Sequence, residues 1–169
     1  MGIFTHFWKK HFLLLAFMLL SSVMPTFAAD DNLITEQVTI DVKKAGTLSS
    51  LVGNDKQNRI TNLKVTGKLN ISDIKFIREI ERSGALKILD FQNTTWRDYI
   101  GASYKESNYT IIPEKGQCVF YDCKKIQQIV LPSWFRIGDH AFYVCSNLTS
   151  IKIPDGVTSI GDDTFSGCI

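Results

Sequence analysis

The sequence predicts an α/β repeat: a solenoid of stacked units with one short parallel strand each, preceded by a signal peptide and an amino-terminal cap. Two observations predict it. Residues 116–137 (GQCVFYDCKKIQQIVLPSWFRI) are followed in register by residues 138–160 (GDHAFYVCSNLTSIKIPDGVTSI), and residues 161–169 begin the pattern a third time with GDDTFSGCI. Each complete unit also holds a short alternating run, Ile129-Val130-Leu131 and Ile151-Lys152-Ile153. On a strand such alternation puts the apolar side chains on one face, which the neighbouring unit must cover.

The period is 22, then 23. In register, Gly116, Gly138 and Gly161 open the units, Phe120, Phe142 and Phe165 follow, and Cys123, Cys145 and Cys168 come next. The two complete units then align Ile126 with Leu148, Ile129 with Ile151, Leu131 with Ile153 and Pro132 with Pro154. Pro after a strand has no N–H to donate and ends the pairing, and Gly at the start of a unit allows a sharp turn.

Upstream, Ile60, Leu63 and Val65 match Leu86, Leu89 and Phe91 at a spacing of 26, which predicts two more strand turns. Between them Ile74, Phe76, Ile77 and Ile80 have helical spacing, with Ser72 placed to cap the start and Gly84 the end. Val38, Ile40 and Val42 alternate as in a strand, and Leu48, Leu51 and Val52 suggest one or two helical turns. Residues 33–59 read as the cap that an end unit needs, so that 29–93 comprise this cap and irregular repeats.

Ahead of the cap, Lys9 and Lys10 precede an apolar run from Phe12 to Leu20 and then Thr26-Phe27-Ala28. This order reads as a signal peptide, residues 1–28, cut after Ala28. The run is about half of the roughly 20 residues that a membrane-spanning helix needs. Removing 28 of 169 residues leaves 141, with 17 basic and 17 acidic side chains. A near-neutral chain lacks the basic stripe that nucleic acid or an anionic lipid surface requires, so neither is expected as a partner, and no membrane insertion is expected after signal removal.

Residues 94–110 (TTWRDYIGASYKESNYT) have no sustained period and read as an insertion loop ahead of the regular repeats of 111–169, the last of which is incomplete. The loop carries Trp96, Tyr99, Tyr104 and Tyr109, which either pack on the repeats or supply contact area to a ligand. The exposed positions of the strand side, Gln128, Val130, Ser150 and Lys152, are candidate ligand contacts together with Trp96, Tyr99 and Tyr104.

The pattern Phe142-x-x-Cys145-x-x-Leu148-x-x-Ile151-x-Ile153-Pro154, then Val157-x-x-Ile160-Gly161, resembles the BspA-type bacterial leucine-rich repeat. The resemblance covers 111–169, and 33–93 are similar to the region often placed ahead of such repeats. It implies an exported bacterial surface or secreted protein, with adhesion to host matrix proteins or other cells. The chain departs from the pattern at Gly116-Gln117-Cys118-Val119, and Trp134-Phe135 stand where the next unit has Gly156-Val157. The third repeat stops before its strand, so a fragment of a longer array is expected.

Catalysis is not expected. Once the signal is removed His140 is the only His, and by register it matches Cys118 and Asp163, a variable and solvent-facing position. The repeat spacing of Cys123, Cys145 and Cys168 suggests one small buried thiol per unit rather than zinc ligands, although adjacent thiols in an oxidising compartment leave disulfides open, with Cys118 the best placed for a partner outside the column. Asp139, Asp162 and Asp163 beside glycines read as turn formers, and no cofactor is expected. The function these features imply is a cell-surface or secreted binding module for a protein or glycan ligand. A stalk for a further domain is the alternative, and an exported hydrolase a distant third.

Overall fold

The computed structural model describes residues 32–98, 102–106 and 108–169. The expected signal peptide and Tyr99 lie outside these residues. The described chain has one parallel sheet in the order β1 (Val38–Val42), β2 (Asn62–Leu69), β3 (Ile88–Asp90), β7 (Gln128–Val130) and β8 (Ser150–Lys152). Strand β4 (Thr94–Trp96) also pairs with β2, beyond the end of β3. The helices are α1 (Leu48–Val52) and α2 (Ile71–Ser83), and β5 (Tyr104–Glu106) and β6 (Tyr109–Ile111) form a separate antiparallel hairpin.

The apolar register sets the sheet. Leu63 pairs with Leu89, Leu89 with Ile129, and Ile129 with Ile151, so that one ladder runs through units of quite different length. Leu63, Leu89 and Ile129 are buried, as are Ile60, Val65, Leu86, Phe91 and Leu131. The spacing of 26 between the two irregular repeats therefore corresponds to direct strand neighbours, and the α/β repeat with short parallel strands is the architecture found.

Helix α2 forms because Ile74, Ile77 and Ile80 recur on one face, and all three are buried. Its cap is Asn70, not Ser72: the Asn70 side chain accepts from Ser72 N and Asp73 N, and Asp73 accepts from Asn70 N in return. Asn70 wins because its extended backbone aims a carbonyl at the first-turn N–H groups, a geometry that a residue already inside the helix cannot adopt. Asp73 is buried and does a second task, accepting from Gly46 N and Leu48 N at 2.7 and 3.0 Å. It therefore supplies the start of α1, which makes no side-chain cap of its own. Gly84 ends α2 as expected.

The described residues of 94–110 hold regular structure rather than a plain loop, namely β4 and the β5–β6 hairpin. Pairing with a distant strand overrides the lack of a sequence period, because β4 continues along β2 where β3 stops: Gly67, Lys68 and Leu69 lie opposite Thr94, Thr95 and Trp96.

In the regular units, N–H groups at alternate positions point to the next unit. Cys118, Phe120 and Asp122 donate to Asp139, Ala141 and Tyr143, and His140, Phe142 and Val144 donate to Asp162, Thr164 and Ser166. Residues 118, 140 and 163 all have positive φ, as do 122, 144 and 167, so the two left-handed positions recur once per unit. Phe120, Phe142 and Phe165 stack face to face with centroids 5.4 and 5.5 Å apart.

The opening glycines serve close approach more than turning. Only Gly116 has positive φ, whereas a Cβ at Gly138 would lie 2.3 Å from Lys115 O, and one at Gly161 would lie 2.3 Å from Asp139 N. Successive backbones touch here, and no side chain fits between them. Replacing Gly138 by Ala is expected to destabilise the fold by about 1–3 kcal/mol, the range of overpacked and strained sites. Gly156→Ala meets no atom within 4 Å and should cost only the about 1 kcal/mol of its left-handed backbone. Urea denaturation midpoints of the two variants check this contrast.

Candidate functional site

The strand side of the sheet presents two columns in register: Asn62, Ile88, Gln128 and Ser150, and next to them Lys64, Asp90, Val130 and Lys152. Gln128, Ser150 and Lys152 are exposed, and Val130 is half-buried. Lys64 and Asp90 pair at 3.1 Å at one end of the second column, and Lys152 stands at the other end with no salt-bridge partner among the described residues. The predicted strand-side residues thus lie on one continuous face, close enough to meet one ligand.

At the carboxyl ends of β3, β7 and β8 this face turns into a hollow of about 220 Å³ bounded by Gln92, Asn93, Ser133, Lys152 and Asp155. A larger hollow of about 680 Å³ adjoins it, sharing Ser133 and Asp155 and adding Trp134, Gly156 and Val157. Reading the sequence for exposed strand positions finds Lys152 but misses the rim residues, since they sit in turns. The departure of Trp134-Phe135 from Gly156-Val157 was the available signal.

The predicted aromatic residues separate. Trp96 is half-buried and stacks on Trp134, centroids 5.1 Å apart, while Trp134 Nε1 donates to Thr94 Oγ1 at 3.1 Å. Tyr104 packs against the core at the hairpin, with Lys75 Nζ 4.6 Å from its ring centre. Tyr109 stacks on Tyr121, which stacks on Tyr143. The described rings of residues 94–110 are therefore packed on the repeats, and among them only Trp96 lies near the hollows, through Trp134.

What positions the hairpin and the first regular unit is Arg78, on the face of α2 that otherwise carries Ile74 and Ile77. Its side chain is 2 % exposed. It donates to Val119 O at 2.6 Å and Tyr121 O at 3.1 Å, and it holds both oxygens of Glu106 at 3.0 and 2.9 Å. Burial opposes its charge, yet the hydrogen bonds to Glu106 keep its pKa above the ordinary value. A turn further on, buried Glu81 accepts from Lys125 N at 2.6 Å, and burial raises its pKa. Sequence periodicity missed both, although two charged residues on an apolar helix face are themselves a sign of a buried polar junction.

The thiols behave as core groups. Cys145 and Cys168 donate to Phe120 O and Phe142 O of the preceding unit at 3.0 and 3.1 Å, and all four cysteines are free. Burial pushes the Cys145 thiol up to about 12, far from a reactive thiolate. Among the described residues no group of three His, Cys, Asp or Glu is placed to hold a metal. His140 is half-buried beside Tyr143 and lies 3.7 Å from Asp163, and Cys118 in the same register column is buried. The column is thus not uniformly solvent-facing; its shared property is the left-handed backbone.

Residues 106–169 match the family model described as the BspA type Leucine rich repeat region, in six copies. Comparison with curated proteins gives no match. Among the described residues no helix is long and apolar enough to cross a membrane.

Two predictions follow from the Arg78 junction. Arg78→Met should cost about 2–3 kcal/mol, because it leaves the carbonyls of Val119 and Tyr121 without their donor while half-buried Glu106 keeps Arg82 as a partner, and a thermal scan reads the loss. Hydrogen bonds from Arg78 pull the Glu106 pKa down to about 2 from its ordinary 4.5. A depressed carboxylate stabilises the fold fully above pH 4.5 and loses that contribution as pH falls toward 2. Glu106→Gln should therefore flatten the fall in melting temperature between pH 4.5 and pH 2, measured against the unsubstituted chain.

Proposed function

We propose that this chain, a BspA-type leucine-rich-repeat protein over residues 106–169, is an exported surface or secreted adhesion module whose strand side binds a protein or glycan ligand. The observation that carries this reading is the continuous exposed face of Gln128, Ser150 and Lys152, which runs across unit boundaries into the hollow at the strand ends. A parallel sheet extended by one strand per unit gives a broad, rigid surface, which costs little ordering on contact with a large partner.

The family is a non-enzymatic repeat family, and interaction with proteins is the activity it suggests. Among the described residues burial raises the pKa of the thiols, and His140 is half-buried beside Tyr143. The chain's near balance of acidic and basic residues favours a ligand held by many short-range contacts over one steered by charge. Export rests on the order of charged, apolar and small residues at the amino terminus, and host matrix proteins are the ligand class that the resemblance to BspA-type proteins implies.

The test is binding of the mature chain to immobilised extracellular-matrix proteins by surface plasmon resonance. Lys152→Glu should weaken a bound partner by about tenfold, a change of about 1.4 kcal/mol, while leaving the melting temperature unchanged. Trp96→Ala should weaken it less and lower the melting temperature as well, since Trp96 supports Trp134. Equal affinity of the Lys152→Glu variant for every bound partner would remove the strand side as the contact surface.

A further inference from the structure

The larger of the two hollows at the strand ends contains a gap in an aromatic column. Trp96 and Trp134 stack with centroids 5.1 Å apart, tilted by 33°. One unit further on, the residue in register with Trp134 is Gly156, where a Cβ would meet nothing within 4 Å. The place of a third ring is open, and Trp134 and Gly156 both line this hollow of about 680 Å³. That volume lies within the roughly 300–1,000 Å³ typical of ligand sites.

We propose that this gap is a carbohydrate subsite, in which a neutral hexopyranose or N-acetylhexosamine residue lies against Trp134 above Gly156. The proposal rests on the binding-module reading and names a ligand class for it. A pyranose has a C–H face that suits the negative face of an indole, and a rim of hydroxyls that needs donors and acceptors in the ring plane. The surroundings supply the second requirement. Ser133 and Asp155 are exposed beside Trp134, and the adjoining hollow that shares them adds Asn93 and Lys152. Asp155 accepts, Asn93 does both, Lys152 donates, and Ser133 turns either way.

An aromatic side chain from a protein partner is the other ring that fits the gap. A Phe ring would desolvate Ser133 and Asp155 and return no hydrogen bond, and a Tyr or Trp would return only one, whereas the hydroxyls of a sugar reach several polar groups at once. The two hollows are lined by Lys115, Arg136 and Lys152 against Asp139 and Asp155, and with acidic Asp155 directly beside Gly156 this near balance favours a neutral sugar over a uronic or sialic acid. The two hollows are continuous through Ser133 and Asp155, which makes room for a second sugar residue along the strand ends.

The test uses the full chain labelled with ¹⁵N, following the tryptophan indole N–H signals by NMR, with Trp134 assigned through Trp134→Phe. The probes are maltohexaose, cellohexaose, mannohexaose, a β-galactohexaose and the N-acetylglucosamine hexamer, each taken to about 10 mM, a range that captures affinities down to the weakest specific complexes. N-acetyl-tryptophan amide serves as the side-chain comparator. The expected result is a saturable shift of the Trp134 signal with at least one sugar. Asp155→Ala should weaken it roughly tenfold, as for loss of a charge-assisted hydrogen bond. Gly156→Asn, which fills the gap with a residue that accepts left-handed backbone, should abolish it.

Silence with all five sugars overturns the proposal. So does a shift with N-acetyl-tryptophan amide alone, which would make the gap a protein anchor, or a sugar shift indifferent to both substitutions. If the sugars fail while matrix-protein binding persists and still depends on Lys152, the binding-module reading stands and only the sugar subsite falls.

Discussion

The regular units of this protein depend on a guanidinium that does the work of a missing neighbour. Within the array, Ala141 O and Tyr143 O accept from Phe120 N and Asp122 N of the preceding unit. The corresponding carbonyls of the first unit, Val119 O and Tyr121 O, accept from Arg78 instead. Arginine suits the task because its fork of fixed donors reaches several acceptors at once and never loses its charge. The same substitution extends to the thiol column, where Cys145 and Cys168 donate to carbonyls of the unit before, and Cys123 Sγ meets the helix through Arg78 Nη1 at 3.5 Å. A helix thus presents to the first unit the donors and acceptors that a repeat would have presented.

This arrangement explains how two repeat types of different length share one sheet. The irregular repeats pack an α-helix across from their strands, whereas the regular units have turns in that place. Strand pairing alone would join them on one side only. Arg78 and Glu81 close the other side, and Glu106 draws the β5–β6 hairpin onto the same junction, so that Tyr109 begins the ring stack continued by Tyr121 and Tyr143. The burial of each unit depends on the next: Ile137 is 3 % exposed beneath the following unit, and its counterpart Ile160 is 53 % exposed.

The binding face inherits its rigidity from these contacts. Its side chains stand on strands whose spacing is fixed by backbone hydrogen bonds and by glycines that bring the backbones together at the far side of each unit. Variation is therefore confined to what projects from the strands and the turns after them. The exchange of Trp134 for Gly156 at one such turn changes the surface without touching the ladder.

The sequence by itself determined the repeat, its register and its buried columns, because a unit that cannot cover its own apolar face must repeat that face at a fixed period. The pairs Leu63 with Leu89 and Ile129 with Ile151 were legible for that reason, as were the helix over Ile74–Ile80 and the thiol column. Tertiary structure decided whatever depends on contact between residues with no common period. The pairing of Thr94–Trp96 with β2, the tie from Asp73 to Leu48 N and the reach of Arg78 to carbonyls more than 40 residues away join segments that share no pattern. The strand-side residues could be named from alternation alone, but the hollow they border is made by turns, whose shape is set by what packs beneath them.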